Sequence, residues 1–177
     1  MDRGRRRYGA DMLTESEIAG FANERHDLVT RYVRPRQGRT ESSARGVHHI
    51  ALIVADVERT VLFYQGLLGF PLTEMFENRD YPGSTHFFFD IGNGNGLAFF
   101  DLPGVDVGPY AEVMGGLHHL AISMEPDQWQ AAKQRLEDAG IEVAHIDGSS
   151  IYFRDPDGAR LELISDPLGE MYGSTVL

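Results

Sequence analysis

The chain has 177 residues, no cysteine, and a net charge of −11 from 16 Lys and Arg against 27 Asp and Glu. That length suits one well-buried domain, and a chain without cysteine has no disulfides, thiolate metal ligands or cysteine nucleophile. No apolar run has bilayer length, and residues 1–7, four of them Arg, lack the apolar stretch of a signal peptide, so the expectation is a cytoplasmic enzyme or binding protein.

The charge is unevenly placed. Residues 1–45 hold ten Arg against seven acids, whereas residues 46–177 hold six basic residues against twenty acids, a net −14. Such a domain repels nucleic acid and anionic membrane, which leaves a small molecule as the expected partner.

In chain order, residues 1–13 read as a disordered arm. Thr14 and Glu17 have capping-box spacing, and Ile18, Phe21, Leu28, Val29 and Tyr32 keep helical periodicity up to Pro35. This predicts one helix with an apolar stripe that covers a sheet or a dimer seam. Residues 36–46 read as a linker. A strand then runs from Val47 to near Asp56, which can cap a helix over 57–67 stopped by Gly69, and strands follow at 72–77, 85–91 and 96–102. Pro103, Gly104, Gly108, Pro109, Gly115 and Gly116 mark an internal boundary. A second series follows: strand 117–124, helix 127–139 ended by Gly140, and strands at 141–146, 150–153 and 160–164.

The two series are copies. Val47-His48-His49-Ile50-Ala51-Leu52 returns as Leu117-His118-His119-Leu120-Ala121-Ile122, and each copy reads βαβββ. The expected fold class is α+β: two βαβββ half-domains pairing into a curved mixed sheet with helices outside, plus an N-terminal helix. The segments are residues 1–45 (arm, helix and linker), 46–102 (first half), 103–116 (connector), 117–166 (second half) and 167–177 (tail). An imidazole from each half, turned toward a shared cleft, is a natural start for a metal site.

Further residues sharpen this. His49-x-x-Leu52-x-Val54-x-Asp56, Phe63-Tyr64, Leu67-Leu68-Gly69-Phe70, His119, and Phe153-x-Asp155-Pro156-Asp157-Gly158-x-x-Leu161-Glu162-Leu163 closely resemble the vicinal oxygen chelate superfamily. That group includes glyoxalase I, fosfomycin-resistance transferases, extradiol dioxygenases and bleomycin-resistance binding proteins. The resemblance covers residues 46–166. It implies a homodimer and one divalent metal ion (Fe, Mn, Ni or Zn) held by His49, His119 and Glu162. The fourth ligand position of the family falls near Ala98, which cannot bind a metal.

Two imidazoles and one carboxylate leave a divalent ion positively charged with open positions, suited to a substrate with adjacent oxygens or to dioxygen. By the resemblance Tyr152 stands at the active-site tyrosine, ten residues before Glu162. The dioxygenase acid-base histidine falls at Asn95, with His86 on the preceding strand as its spatial substitute. Dioxygenase chemistry is slightly favoured over a glyoxalase-like lyase or isomerase, in which Tyr152, His86 or His145 would move protons. The contrasting expectation is a metal-free binding protein that sequesters an aromatic or cationic molecule, for which Phe87, Phe88, Phe89, Phe99 and Phe100 are compatible. Strand alternation predicts that His48 and His118 face the helices. It also places Asp101 away from the site, and Asp155 to Gly158 read as a tight turn that sets the register of the Glu162 strand.

Overall fold

The computed structural model describes residues 13–177 apart from Asp147 and Tyr172, so the arm read as disordered lies, except for Leu13, outside the described residues. The chain divides into two compact units at Ser43 and Ala44.

In the first unit, helix α1 spans Glu15–Tyr32. The Thr14 hydroxyl accepts from the Glu17 amide, and the Glu17 carboxylate accepts from the Thr14 amide at 2.8 Å, so the capping box forms as its spacing predicts. These hydrogen bonds hold the Glu17 carboxyl below its ordinary range. The helix stops at Tyr32, three residues before Pro35, and buries none of its residues.

In the second unit, strand β1 (His49–Val54) leads to Asp56, whose carboxylate accepts from the Arg59 amide at 2.8 Å and starts helix α2 (Val57–Val61). The helix widens into π-turns over Leu62–Leu68 and ends at Gly69, whose φ of +84° suits glycine. Strands β2 (Leu72–Glu77), β3 (Thr85–Asp90) and β4 (Gly96–Asp101) complete the first half. The second half repeats the order: β5 (Leu120–Ser123), α3 (Pro126–Asp138), β6 (Ala144–Ile146), β7 (Ser150–Arg154) and β8 (Arg160–Ile164). The tail adds a small hairpin, β9 (Glu170–Met171) with β10 (Ser174–Thr175), which the sequence reading left without structure.

Each half forms its own four-stranded mixed sheet, β1-β4-β3-β2 and β5-β8-β7-β6, with the first and last strands parallel. Hydrogen bonding thus keeps two sheets, and the halves are joined by a shared core. Val54, Phe87, Phe89, Leu97 and Phe99 of the first sheet belong to one apolar cluster with Phe63, Tyr64 and Leu68. The same cluster continues through Trp129, Ala132 and Leu136 to Ile122, Ile151, Phe153, Leu161 and Leu163 of the second sheet. Polar contacts cross the junction: Arg135 donates to the Leu67 carbonyl at 2.6 Å, and Arg59 pairs with Asp157 at 2.6 Å. The turn after β7 is the expected tight one. Asp155 accepts from the amides of Asp157 (3.0 Å) and Ala159 (2.7 Å), and its other oxygen accepts from the buried Tyr64 hydroxyl at 3.0 Å. Burial raises both the Asp155 carboxyl and, further, the Tyr64 phenol, which also feels the Asp155 charge.

Strand alternation gives each sheet a second face, turned away from this core. His49, Ala51 and Ile53 lie on that face of the first sheet and Ala121, Ser123 and Glu162 on that of the second; these faces hold the chemistry-bearing residues.

Candidate metal centre

Glu162 lies mid-strand in β8, opposite Ala121 of β5 and Tyr152 of β7. It is 7% exposed, a costly position for a carboxylate unless it is partnered. Its partners are specific. One oxygen accepts from the Ser150 hydroxyl, and the other accepts from the Tyr152 hydroxyl at 2.6 Å and lies 3.1 Å from His119 Nε2. The rings of His119 and Tyr152 meet edge to face at 5.4 Å. These four residues line a cavity of about 320 Å³, whose wall also includes Ala121, Ser123, Ile164 and, from the tail, Leu168 and Met171.

A polar network backs the site. Arg160, two residues before Glu162 and 4% exposed, donates to His118 Nε2 at 2.8 Å and pairs with Glu112 at 3.4 Å. Sequence reasoning missed Ser150, Arg160 and the tail. Alternation along β7 and β8 could have found the first two, because each stands two residues from a residue already assigned to the site. The tail has no periodic signal, since its strands are two residues long.

His49 is not part of this cluster. It begins β1 opposite Gly96, on the outer face of the first sheet, with the Phe88 ring 6.1 Å away. Among the described residues no three His, Cys, Asp or Glu side chains of one chain are placed to hold a metal together. Within one chain, His49 thus stands apart from His119 and Glu162. The halves join through their apolar cores, and their histidine-bearing faces do not close on each other. The register explains why the first half offers no carboxylate of its own. Ala51 pairs with Ala98 as Ala121 pairs with Glu162, and Phe88 faces Ala98 as Tyr152 faces Glu162.

His86 also stands on the first sheet, away from Tyr152. It pairs with Phe76 and Phe100 across neighbouring strands and stacks on Phe100 at 3.8 Å. Its Nε2 is buried and has no hydrogen-bond partner among the described residues, and burial, then His49 and Arg79, holds the ring below the ordinary histidine value. The expectation for His48 and His118 needs correction too. Each precedes its paired strand, where the pleat does not enforce alternation, and each turns toward its neighbour: Nδ1 of His48 lies 2.8 Å from Nδ1 of His49, and the His118 and His119 pair lies at 2.6 Å. Asp101 instead accepts from the Thr85 amide at the start of β3. His145 sits exposed on the edge strand β6, 3.7 Å from Glu137.

The donor set fits a first-row divalent ion in part. An imidazole and a carboxylate already 3.1 Å apart on a cavity floor are two of the three ligands such a site needs.

Comparison with known proteins agrees with this fold. Residues 46–163 match the Glyoxalase/Bleomycin resistance protein/Dioxygenase superfamily. The chain is 32% identical over 132 residues to FosB of Shouchella clausii, a metallothiol transferase, covering 71% of this chain and 83% of that protein. It is 27% identical over 142 residues to MhqA of Bacillus subtilis, assigned as a ring-cleaving dioxygenase; this covers 74% of the chain but spans only 43% of MhqA. A glyoxylase/bleomycin resistance protein/dioxygenase domain from Frankia sp. EAN1pec superposes with a TM-score of 0.59 at 23% identity, over 69% of this chain and 98% of that one, and shares the fold. The repeated βαβββ halves and the match over residues 46–163 agree, and the chain belongs to the Glyoxalase/Bleomycin resistance protein/Dioxygenase superfamily.

Proposed function

We propose that this protein is a divalent-metal-dependent enzyme acting on a small oxygenated organic molecule, with His119 and Glu162 of one chain and His49 of a second copy as the metal ligands. One observation carries the reading: His119 Nε2 and Glu162 sit 3.1 Å apart in a cavity, while the matching His49 lies exposed on a separate sheet face. That face also presents Ile53 and Phe76, each about half exposed, and large apolar residues around a polar point suit burial against a second copy.

When bound, the ion supplies positive charge to the substrate's oxygens and leaves coordination positions open. The chain's own residues do the rest. Ser150 and Tyr152 fix the two carboxylate oxygens, so Glu162 keeps one orientation. The Tyr152 hydroxyl holds a proton at the edge of the cavity, where it serves as the acid-base group. Ile164, Leu168 and Met171 seat the apolar part of the substrate and exclude water. His86, on the other sheet, reaches this site only through the second copy. Ring-cleaving oxygenation remains favoured, with the likeness to MhqA in support. Group transfer to an electrophile is the second reading, favoured by the fuller coverage of FosB.

Complementation between chains tests the proposal. His49→Ala and Glu162→Ala chains should each fail to hold stoichiometric metal, and mixing them after dissociation should restore roughly a quarter of the wild-type sites, because half the reassorted dimers carry one intact site of two. Full metal content in the Glu162→Ala protein would overturn the assignment. No metal in the wild type after reconstitution with Fe(II), Mn(II), Ni(II) and Zn(II) would point to a binding protein.

A further inference from the structure

We infer that the cavity beside Glu162 selects its substrate by charge: it takes a molecule that is neutral or cationic beyond its chelating oxygens and rejects one with an anionic group there, and Asp166 and Glu170 are the specificity-determining residues. This rests on the reading of His119 and Glu162 as metal ligands. Besides those two, the ionisable side chains that line the cavity are Tyr152, Asp166 and Glu170, and no Lys or Arg is among the described residues that line it. At about 320 Å³ the cavity is small enough that a ligand displaces most of its water, so charges inside it are weakly screened.

The cations of the second sheet are engaged elsewhere. The guanidinium of Arg160 stands 5.8 Å over the Tyr152 ring, yet it is buried, donates to His118 and pairs with Glu112. Arg154 donates to the Gly158 carbonyl and lies 3.6 Å from the same Glu112. The first sheet, which a second copy would bring over the site, adds none. Its four strands contain no Lys or Arg, and its outer face presents the rings of Phe76, His86, Phe88 and Phe100. Arg79, in the loop between β2 and β3, carries a charge felt at His86. A divalent ion brings two positive charges, of which Glu162 offsets one, and the chelating oxygens of the substrate meet the rest. A further anion would face Asp166 and Glu170 with no cation in the cavity wall to offset it, whereas a cation is drawn to the two carboxylates.

Catechol, dopamine and catechol-4-sulfonate share one chelating diol and differ in the charge opposite it: neutral, positive and negative. They are titrated by calorimetry into the full chain reconstituted with Zn(II), a redox-inert ion that leaves the diol intact. Dopamine should bind most tightly and the sulfonate most weakly, with a ratio between them on the order of tenfold. Asp166→Asn with Glu170→Gln should bring that ratio toward one, Glu170→Lys should do so from the exposed tail alone, and Arg79→Gln should leave it unchanged. Equal affinity for dopamine and the sulfonate, a ratio kept in the double variant, loss of sulfonate binding in Arg79→Gln, or no binding of any of the three would each overturn the inference. Zinc content separates this from failure of the ligand assignment. A protein that holds zinc through Glu162 but ranks the probes otherwise sinks charge selection alone. A protein that holds no zinc sinks the assignment, and the same ratio, measured on the metal-free cavity, then decides charge selection.

Discussion

Tyr152 and Glu162 are cross-strand partners joined by a 2.6 Å hydrogen bond, and in the first half the same two positions hold Phe88 and Ala98. The repeat therefore keeps an imidazole in each copy but a carboxylate with its hydroxyl donors in only one. Side chains at directly opposed strand positions share a face and touch, so this exchange of a pair converts a polar floor into an aromatic one.

Removing either donor from Glu162 should be felt. Tyr152→Phe and Ser150→Ala are each expected to destabilise the fold by about 1–3 kcal/mol, because a buried carboxylate loses a hydrogen bond. Their effects should fall short of or exceed the sum, since both act on one group. Urea unfolding of the two single variants and the double variant measures this, and additive effects would mean that the two hydroxyls act independently.

The Asp155 carboxyl is raised above its ordinary value of 3.8 by burial. A raised value in the folded state means that its contribution is full below the ordinary carboxyl range and is lost as pH rises through the raised value. Asp155→Asn keeps an acceptor for the Ala159 and Asp157 amides and puts an amide donor in place of the oxygen that accepts from the Tyr64 hydroxyl, yet it cannot ionise. Stability of the wild type relative to this variant should decline as pH climbs from about 3, which denaturation at a series of pH values would show; a flat difference would contradict the assignment.

Trp129, the single tryptophan, is buried and donates from its ring nitrogen to the Leu163 carbonyl at 2.9 Å. Trp129→Phe should cost about 1–3 kcal/mol by leaving that carbonyl without this partner and the core underfilled. In the wild type, its fluorescence should report the unfolding of α3 against the second sheet, in step with circular dichroism for a cooperative unit.

Gly69 ends the first-half helix at a φ of +84°, and an added Cβ would meet Arg135 at 3.6 Å, an ordinary contact. Backbone conformation alone should then set the cost of Gly69→Ala, about 1–2 kcal/mol. Thermal unfolding gives the test, and a neutral outcome would mean that the helix end relaxes out of the left-handed region.

The amino-acid sequence by itself determined the two βαβββ copies, the capping box at Thr14 and Glu17 and the turn at Asp155 to Gly158. Each follows from local rules: capping geometry, positive φ at glycine, and the two-residue alternation of strands, none of which needs distant contacts. Only the tertiary structure decided how the halves join. A repeat shows that two apolar faces must be covered without showing which edges or cores meet. Here the apolar cores merge through Phe63 and Phe153, Arg135 hydrogen-bonds across the junction, and the sheets stay separate. That choice leaves His49 apart from His119 and Glu162. It also depends on packing between residues about 70 to 90 positions apart in the chain, as for Arg135 with Leu67 and Tyr64 with Asp155. The conformation of His48 and His118, and the tail hairpin that walls the cavity, were decided at the same level, because residues outside regular strands take their direction from neighbours that alternation does not specify.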